Sequence, residues 1–462
     1  MKQITTMIAV VLVSLLAATA WAQDTGWVVT SDFSSFGRLQ SFGLNDPWSV
    51  SDDFATIPGD AVGRYHDGLL YIVGRGGANL LQVYDPNAGM VLLTEFSLGS
   101  NLNPQDIAID SAGDAYISCY DSAVLLRVDV ATEQVVASYS TAIYADADGL
   151  PETAWLKIIG DTLYISCQKL DRNNFYSPTG PGSLLVFDTV NETFSAPISL
   201  VGENPYTPLE VVADGTGGFD LRVGCVGFFG LNDGGVETID TSASASLGFD
   251  VTEAVLGGDI NAVVTTALGE IHTLISDGSF NTSLRKYNYA SESLSVLLTG
   301  NGFVHAALAY DGDFQVFLAD RTVGAAGMRV FDSFSGVQLT SNALATGLPP
   351  SMIILPAPSQ VSAVPVTPLN SGLSLGAPFP NPCNPRAEID VAGKPNAVTE
   401  LSVYDLRGRR LLTQKIGLDS NGHSTWNFSG IDTEGRALPA GVYRIVAQND
   451  AGLAARSVTL VK

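Results

Sequence analysis

The chain has 462 residues, of which 46% are hydrophobic and 47 are glycine, and its formal net charge is −24. This composition excludes a disordered chain and fits a packed, turn-rich β protein. The acidic charge also excludes nucleic acid as a partner, because neutralising phosphate groups takes clustered Lys and Arg.

The first 22 residues have the pattern of a secretory signal. Lys2 precedes an apolar run from Met7 to Ala18, and Ala20, Trp21 and Ala22 form a small-residue cleavage site. The apolar run is shorter than the roughly 20 residues that a membrane span needs. We expect residues 1–22 to be removed as a signal peptide and the exported protein to have no membrane span.

Charge divides the rest of the chain into two parts. Residues 23–370 hold 12 Lys and Arg against 39 Asp and Glu, a net charge of −27, whereas residues 371–462 hold 10 against 8. A Pro- and Ser-rich segment at 356–372 lies between them and has the composition of an extended linker. We therefore predict one domain at 23–355 and a second at 373–462.

A pattern of four short β-rich runs recurs through the first domain. Its clearest copy spans Asn103–Tyr139, where polar turns separate the runs. Copies of about 40 to 45 residues are typical of the blades of a β-propeller. Six complete copies begin at Asp60, Asn103, Thr153, Pro208, Asp259 and Phe303.

A seventh copy is divided between the two ends of the domain. Ser351–Leu355 has the pattern of a first strand with no successor, whereas Trp27–Thr30, Arg38–Phe42 and Ser49–Phe54 have the pattern of later strands with no predecessor. Joining these pieces would leave no open sheet edge in the ring. We predict an all-β protein whose first domain is a seven-bladed β-propeller, with six or eight blades as the alternatives.

Three of the four cysteines occupy one position in successive copies, at Cys119, Cys167 and Cys225. Equivalent positions on stacked sheets lie roughly 10 Å apart, which exceeds the reach of about 7 Å between the Cα atoms of a disulfide. We predict three buried thiols that pack as small core residues, with Cys383 set apart in the second domain.

The residues of the clearest copy carry a family resemblance. Pro104-Gln-Asp-Ile-Ala-Ile-Asp, followed by Ala115-Tyr-Ile-Ser, resembles the YVTN-type or lactonase-like propeller repeats. The resemblance implies the propeller fold. It implies no particular activity, because binding proteins and enzymes share this repeat.

Two sets of loops should form a ligand site. In this strand order, the loops before the first strands and the loops between the second and third strands open on one face. We predict an acidic ring there, with aromatic and basic side chains on longer loops above it. The expected ligand-binding residues are Asp60, Arg75, Asp106, Tyr120, Trp155, Lys169, Glu210, Phe228, Asp259, His305 and Arg321. As an alternative, the acidic members only cap turns by accepting backbone N–H bonds.

A second candidate site is an acidic loop with Asp146, Asp148 and Glu152. Oxygen ligands spaced in this way suit a hard cation such as Ca²⁺. The full spacing of a calcium-binding loop is absent, so a solvated loop between blades is the alternative. We expect no other cofactor.

Catalysis has little support in the sequence. Histidines are few, and among them His305 alone falls on the predicted ligand face. We predict a protein that binds an unknown small-molecule or protein ligand, with no catalytic residue assigned. Two alternatives are open: an enzyme of the lactonase or lyase type with His305 as general base, and a structural surface-layer component.

The last 90 residues have a more specific pattern. Pro378–Pro385, Leu401–Arg409 and Leu438–Tyr443 closely resemble the immunoglobulin-like domain of the flagellar hook-capping (FlgD-type) family and the type A C-terminal sorting domain of type IX secretion. The chain departs from that pattern at Cys383 and Asn427. The resemblance implies a small immunoglobulin-like β-sandwich, contact with a secretion or surface-attachment machinery, and a secreted or outer-surface location.

Overall fold

The computed structural model describes residues 25–214, 218–266, 270–289, 291–312, 314–356, 373–376, 378–404, 410–449 and 452–461. The predicted signal peptide and nearly all of the predicted linker lie outside these ranges. Within them, no helix has the length and apolar character to cross a membrane. Nearly all of the regular secondary structure in the described chain is strand, as predicted.

The first half of the propeller consists of 18 strands. In chain order they are β1 (Thr25–Ser31), β2 (Phe36–Gly43), β3 (Val50–Pro58), β4 (Ala61–His66), β5 (Leu69–Gly74), β6 (Leu80–Asp85), β7 (Val91–Ser97), β8 (Pro104–Ile109), β9 (Ala115–Cys119), β10 (Val124–Asp129), β11 (Gln134–Ser140), β12 (Thr153–Ile159), β13 (Thr162–Cys167), β14 (Leu170–Asp171), β15 (Ser177–Pro178), β16 (Pro181–Asp188), β17 (Thr193–Phe194) and β18 (Ile198–Glu203). A short 3-10 helix at Ala142–Tyr144 precedes β12.

The second half continues with 13 strands. They are β19 (Glu210–Ala213), β20 (Phe219–Cys225), β21 (Gly235–Asp240), β22 (Ala245–Thr252), β23 (Asp259–Thr265), β24 (Glu270–Ser276), β25 (Thr282–Asn288), β26 (Ser293–Thr299), β27 (His305–Tyr310), β28 (Gln315–Asp320), β29 (Gly327–Asp332), β30 (Leu344–Ala345) and β31 (Pro350–Ile354). One helical turn, α1 (Glu253–Leu256), joins β22 to β23.

These strands form seven antiparallel sheets, which we number as blades. Blade 1 is β4–β7, blade 2 is β8–β11, blade 4 is β19–β22, blade 5 is β23–β26 and blade 6 is β27–β30. Blade 3 has β12, β13, β16 and β17 in order, with β18 also paired to β16, and the hairpin β14–β15 is inserted after β13. Blade 7 has the order β3-β2-β1-β31.

Blade 7 closes the ring from both ends of the domain, as the sequence predicts. Trp27 pairs with Ile354, and Val28 pairs with Ile353, so β31 is the innermost strand of a sheet whose other strands come from the start of the domain. The Trp27 ring also stacks on Tyr65 of blade 1 at 4.8 Å between centroids. The seven-bladed prediction is therefore confirmed.

Apolar side chains between neighbouring blades form the propeller core. Ile107 and Ile117 of blade 2 pack with Val73 and Leu81 of blade 1, and comparable clusters join the blades around the ring. Cys119, Cys167 and Cys225 lie in these clusters as fully buried free thiols. The cysteines are packing residues, as predicted, and burial raises their thiol pKa values.

The C-terminal part is a β-sandwich of two sheets. Its strands are β32 (Ser374–Leu375), β33 (Ala387–Ala392), β34 (Val398–Tyr404), β35 (Arg410–Gly417), β36 (His423–Phe428), β37 (Gly441–Asn449) and β38 (Gly452–Leu460). One sheet has the order β32-β33-β36, and the other has the order β35-β34-β37-β38. Ile389, Leu401, Trp426, Phe428 and the buried Cys383 fill the space between them.

We call the end of the ring where the first strands begin the upper face, and the opposite end the lower face. The sandwich contacts the lower face at blade 6. Phe314 and Phe334, which lie in lower-face hairpins, flank the guanidinium group of Arg444 at 4.4 and 4.3 Å from their ring centroids. Tyr404 packs on Phe314 at 5.0 Å.

Candidate functional site

An axial cavity of about 2180 Å³ runs between the inner strands of the ring. Its lining extends from Asp60 and Arg75 on the upper face to His66 and Gly160 on the lower face. Glu400, Gln448 and Asn449 of the sandwich complete its lower end. The cavity is therefore formed by both domains.

The structure brings six of the eleven predicted ligand-binding residues to this cavity. They are Asp60, Arg75, Tyr120, Trp155, Glu210 and Arg321. Lys169 and Phe228 lie on upper-face loops outside the cavity lining. Asp106, Asp259 and His305 are almost fully buried and also lie outside the lining.

Two arginines at the upper rim form ion pairs or hydrogen bonds with neighbouring residues. The Arg75 guanidinium lies 2.7 Å from an Asp60 carboxylate oxygen and donates a hydrogen bond to Gln105. The Arg321 Nε donates to the Pro350 carbonyl at 2.9 Å, and its guanidinium lies over the Phe33 ring. Burial lowers the pKa of Arg321.

Two of the predicted acidic residues serve the scaffold. Asp106 accepts hydrogen bonds from Arg64 at 2.8 Å and from the Leu156 backbone at 3.0 Å, which ties blades 1, 2 and 3 together. Asp259 accepts the Gly230 backbone N–H with both oxygens. Asp259 thus accepts backbone N–H bonds from a loop, as in the turn-capping alternative, whereas Asp106 joins strands of neighbouring blades.

His305 is 2% exposed, and burial lowers its pKa. Its backbone N–H donates to the Thr282 hydroxyl, while its Nδ1 atom has no hydrogen-bond partner among the described residues. The neighbouring Asp320 forms an ion pair with Arg329 at 2.7 Å. His305 is therefore a core residue, and this position does not favour its role as a general base for a ligand in the cavity.

Charged side chains form one level of the cavity at mid-depth. Strand pairing places Arg64 opposite Tyr71, Lys157 opposite Tyr164 and Glu210 opposite Arg222. The second strands of these three blades end at Gly74, Cys167 and Cys225. Tyr71, Tyr164 and Arg222 each lie three residues before that end. Arg64, Lys157 and Glu210 are therefore equivalent in their blades, and we call them the mid-channel ring.

Each member of the mid-channel ring has a different environment. Arg64 is paired with Asp106, and Glu210 accepts the Thr265 backbone N–H at 2.7 Å. The Lys157 side chain has no hydrogen bond or ion pair within the part of the chain that the structure describes. Burial lowers the pKa of Lys157, with a smaller contribution from Arg64, and burial raises the pKa of Glu210 to about 7.

Trp155 forms an aromatic wall next to this ring. Its indole N–H donates to the Tyr206 carbonyl at 2.6 Å, and the Arg64 guanidinium lies 5.6 Å from its ring centroid. Arg64 and Lys157 were missed from the sequence. The available signal was a charge inside first strands that are otherwise apolar (AVGRYH and TAWLKII).

A smaller aromatic pocket of about 240 Å³ opens beside the cavity on the upper face. The hairpin β14–β15 and the loop after β20 supply its walls. Phe175 is 91% exposed, and Tyr206 meets Phe229 edge to face at 5.3 Å between centroids. Tyr120 and Phe228, both predicted, line this pocket.

The acidic loop brings its three predicted members together. Ligand oxygens of Asp146, Asp148 and Glu152 all lie within 4.8 Å of one another. Glu152 is fully buried and forms an ion pair with Arg172 at 2.9 Å. Burial raises the pKa of Glu152 to about 7. One Asp148 oxygen is buried without a hydrogen-bond partner among the described residues. The oxygens suit a hard cation, but Arg172 already places a positive charge beside Glu152.

Residues 377–460 match the family model of a secretion system C-terminal sorting domain. This match covers the sandwich from β33 to β38 and indicates a role in export. The chain is a secreted or cell-surface protein, and the sorting domain is its contact with the type IX secretion machinery. Comparison with curated proteins found no match.

Solved structures with a similar fold include several proteins of low sequence identity. PorZ, a surface component of the type IX secretion system of Porphyromonas gingivalis, is 14% identical with a TM-score of 0.43; the alignment covers 93% of this chain and 64% of PorZ. A functionally unknown protein from Desulfotomaculum acetoxidans is 12% identical with a TM-score of 0.48, covering 73% and 100% of the two chains. The dihydro-heme d1 dehydrogenase NirN is 14% identical with a TM-score of 0.47, covering 72% and 75%. At these values no function carries over.

Proposed function

We propose that this protein is a binding protein of the cell surface or the extracellular medium, and that its axial cavity takes a small ligand. The observation that supports this most is the mid-channel ring. Charged groups placed inside a largely apolar channel cost desolvation free energy, so a protein that keeps them there commonly uses them. Trp155 beside the ring would supply apolar contact area.

The domain organisation belongs to the same proposal. Residues 1–22 would direct export, 23–355 would bind the ligand, 356–372 would link the domains, and 373–462 would be read by the secretion machinery. The hook-capping resemblance of the sandwich would then concern its immunoglobulin-like fold. Truncation after Ser371 should keep the propeller off the cell surface, whereas unchanged surface display would contradict the sorting role.

Ligand binding is tested with the full mature chain. A library of small metabolites is screened by thermal shift, with and without Ca²⁺. A true ligand should raise the melting temperature of the parent by mass action. The rise should shrink in Trp155→Ala and persist in Lys415→Ala, which changes an exposed sandwich side chain. A ligand that is insensitive to Trp155→Ala would place the site elsewhere, and an empty screen would contradict the proposal.

Two other functions have their own readouts. Hydrolysis or elimination of a lactone panel by the parent protein, lost in Asp106→Ala and His305→Ala, would favour an enzyme of the lactonase or lyase type. Spontaneous assembly of the purified protein without a ligand would favour a structural surface-layer component. The structure offers no feature that raises either above ligand binding.

A further inference from the structure

The few cations of the propeller are concentrated at its axial cavity. Residues 23–370 contain 12 Lys and Arg against 39 Asp and Glu. Five of the twelve line this one cavity, namely Arg64, Arg75, Lys157, Arg222 and Arg321. An acidic domain therefore presents much of its positive charge to the inside of its ring.

Three of the five cations have a carboxylate partner. Arg64 lies 2.8 Å from Asp106, Arg75 lies 2.7 Å from Asp60, and Arg222 lies 3.0 Å from Asp250. Lys157 and Arg321 have no carboxylate within ion-pair distance among the described residues. The Arg321 guanidinium still donates a hydrogen bond to the Pro350 carbonyl. Among these five cations, Lys157 therefore has the fewest side-chain partners among the described residues.

Lys157 is also next to a like charge. Arg64 contributes to lowering its pKa, whereas Glu210 and Asp106 act to raise it, so Lys157 lies near one cation and two carboxylates. A partly buried ammonium group without a hydrogen-bond acceptor is costly, and an anion between two cations would remove both the cost and the repulsion.

We infer that the mid-channel ring binds the oxyanion group of a small organic ligand, a carboxylate or a phosphate, between Lys157 and Arg64. This inference rests on the proposed function and specifies its ligand class. The apolar part of the ligand contacts Trp155.

The test uses four probes on the full mature chain: acetate, benzoate, inorganic phosphate and phenyl phosphate. Each is added at constant ionic strength with chloride as the reference. We expect at least one oxyanion to raise the melting temperature above the chloride value. The carboxylate and phosphate arms identify which group the ring accepts, and the phenyl compounds test the contact with Trp155.

Lys157→Met should weaken binding of that probe roughly tenfold or more, because hydrogen bonds to charged groups are the strong ones. The matched control is Lys415→Met, which removes an exposed lysine of the sandwich outside the cavity lining and should bind like the parent. Lys157→Gln serves as a second variant if the methionine variant does not fold. Equal binding by parent and both Lys157 variants would overturn the inference.

A second measurement needs no variant. Reductive methylation of the parent is followed by mass spectrometry at Lys157 and Lys169. The bound probe should slow modification of Lys157 and leave Lys169 unchanged. If no oxyanion binds but the metabolite screen finds a neutral ligand sensitive to Trp155→Ala, the anion inference fails while the binding function stands. If neither finds a ligand, both fail.

Discussion

The guanidinium carbon of Arg444, in the C-terminal sandwich, lies 4.4 Å from the ring centroid of Phe314, in the propeller. Phe334 covers the other side of the same group, and Arg444 is 6% exposed. Cation–π contacts of desolvated groups are worth about 2 kcal/mol, against about 0.5 to 1 kcal/mol at exposed sites. Arg444 therefore makes a specific contact between the two domains.

Arg444→Ala should loosen the sandwich from the lower face of the propeller. We expect proteolytic cleavage within 357–372 to become faster by roughly tenfold, since about 1.4 kcal/mol corresponds to that factor. Limited proteolysis followed by mass spectrometry measures it. Lys415→Ala, at a side chain that is 69% exposed, is the control and should cleave like the parent. Identical cleavage of Arg444→Ala and parent would show that this contact does not hold the domains together.

Ring closure makes Ile353 important for stability. The side chain is 6% exposed and packs with Phe42, Phe317 and Met328 where blade 7 meets blade 6. Ile353→Ala should lower the free energy of unfolding by about 2 to 5 kcal/mol, through lost burial and a residual cavity. Urea denaturation measures the loss. Val323→Ala, at a side chain that is 97% exposed, should change it by less than about 0.5 kcal/mol. A small effect at Ile353 would mean that β31 contributes little to the ring.

Glu210 should make stability depend on pH. Burial raises its pKa from 4.5 to about 7, so the folded state holds the proton more tightly than the unfolded chain. The resulting stabilisation is complete below about pH 4.5 and is lost as the pH rises through about 7. Urea denaturation at several pH values should show a decline over this window that is smaller in Glu210→Gln, by up to roughly 3 kcal/mol.

Other buried groups contribute to the same pH profile, which is why the difference between the two proteins is the measured quantity. Burial raises the pKa of Glu152 to about 7 and that of Glu253 to about 8, so both act in the same direction as Glu210. Burial lowers the pKa of His272 to about 3, so its contribution is present above pH 6.5 and is lost on acidification. Parallel profiles for parent and Glu210→Gln would contradict the role of Glu210.

The cation prediction for the acidic loop is tested with Ca²⁺ itself. We expect millimolar Ca²⁺ to raise the melting temperature of the parent. The rise should disappear in Asp148→Asn, because one Asp148 oxygen has no hydrogen-bond partner among the described residues. Asp121→Asn is a control that removes a carboxylate paired with Arg172 outside the three-residue cluster. An unchanged melting temperature in the parent would contradict the prediction of a Ca²⁺ site in this loop.

The fold followed from the sequence because the blade repeat is a local pattern. The runs at Trp27–Thr30 and Ser351–Leu355 could be joined across the chain since each lacked neighbours that the other supplied. The direction of side chains at the upper ends of the first strands could not be read in this way. Register shifts interrupt the pairing between Pro104 and Asp106 and between His305 and Ala307. Such an irregularity changes which face a side chain occupies, so residues expected at the cavity became core residues.

Arg64 and Lys157 of the mid-channel ring were missed for a different reason. Each lies inside a first strand that is otherwise largely apolar. A charge in an otherwise apolar strand is a signal that single sequences do contain, because burying it needs either a partner or a purpose. Arg64 has the partner, Asp106, whereas Lys157 lacks one among the described residues.

The position of β31 decides how the protein would carry a mechanical load. Because β31 is the last strand of the propeller, tension on a tail held at the cell surface would reach the ring at Ile354. That residue belongs to an innermost strand, which is hydrogen-bonded to β1 and flanked by the inner strands β27 and β4 of the adjacent blades. Tension at Ile354 would therefore be resisted by contacts with three blades, whereas tension on an outer strand would be resisted by one neighbouring strand.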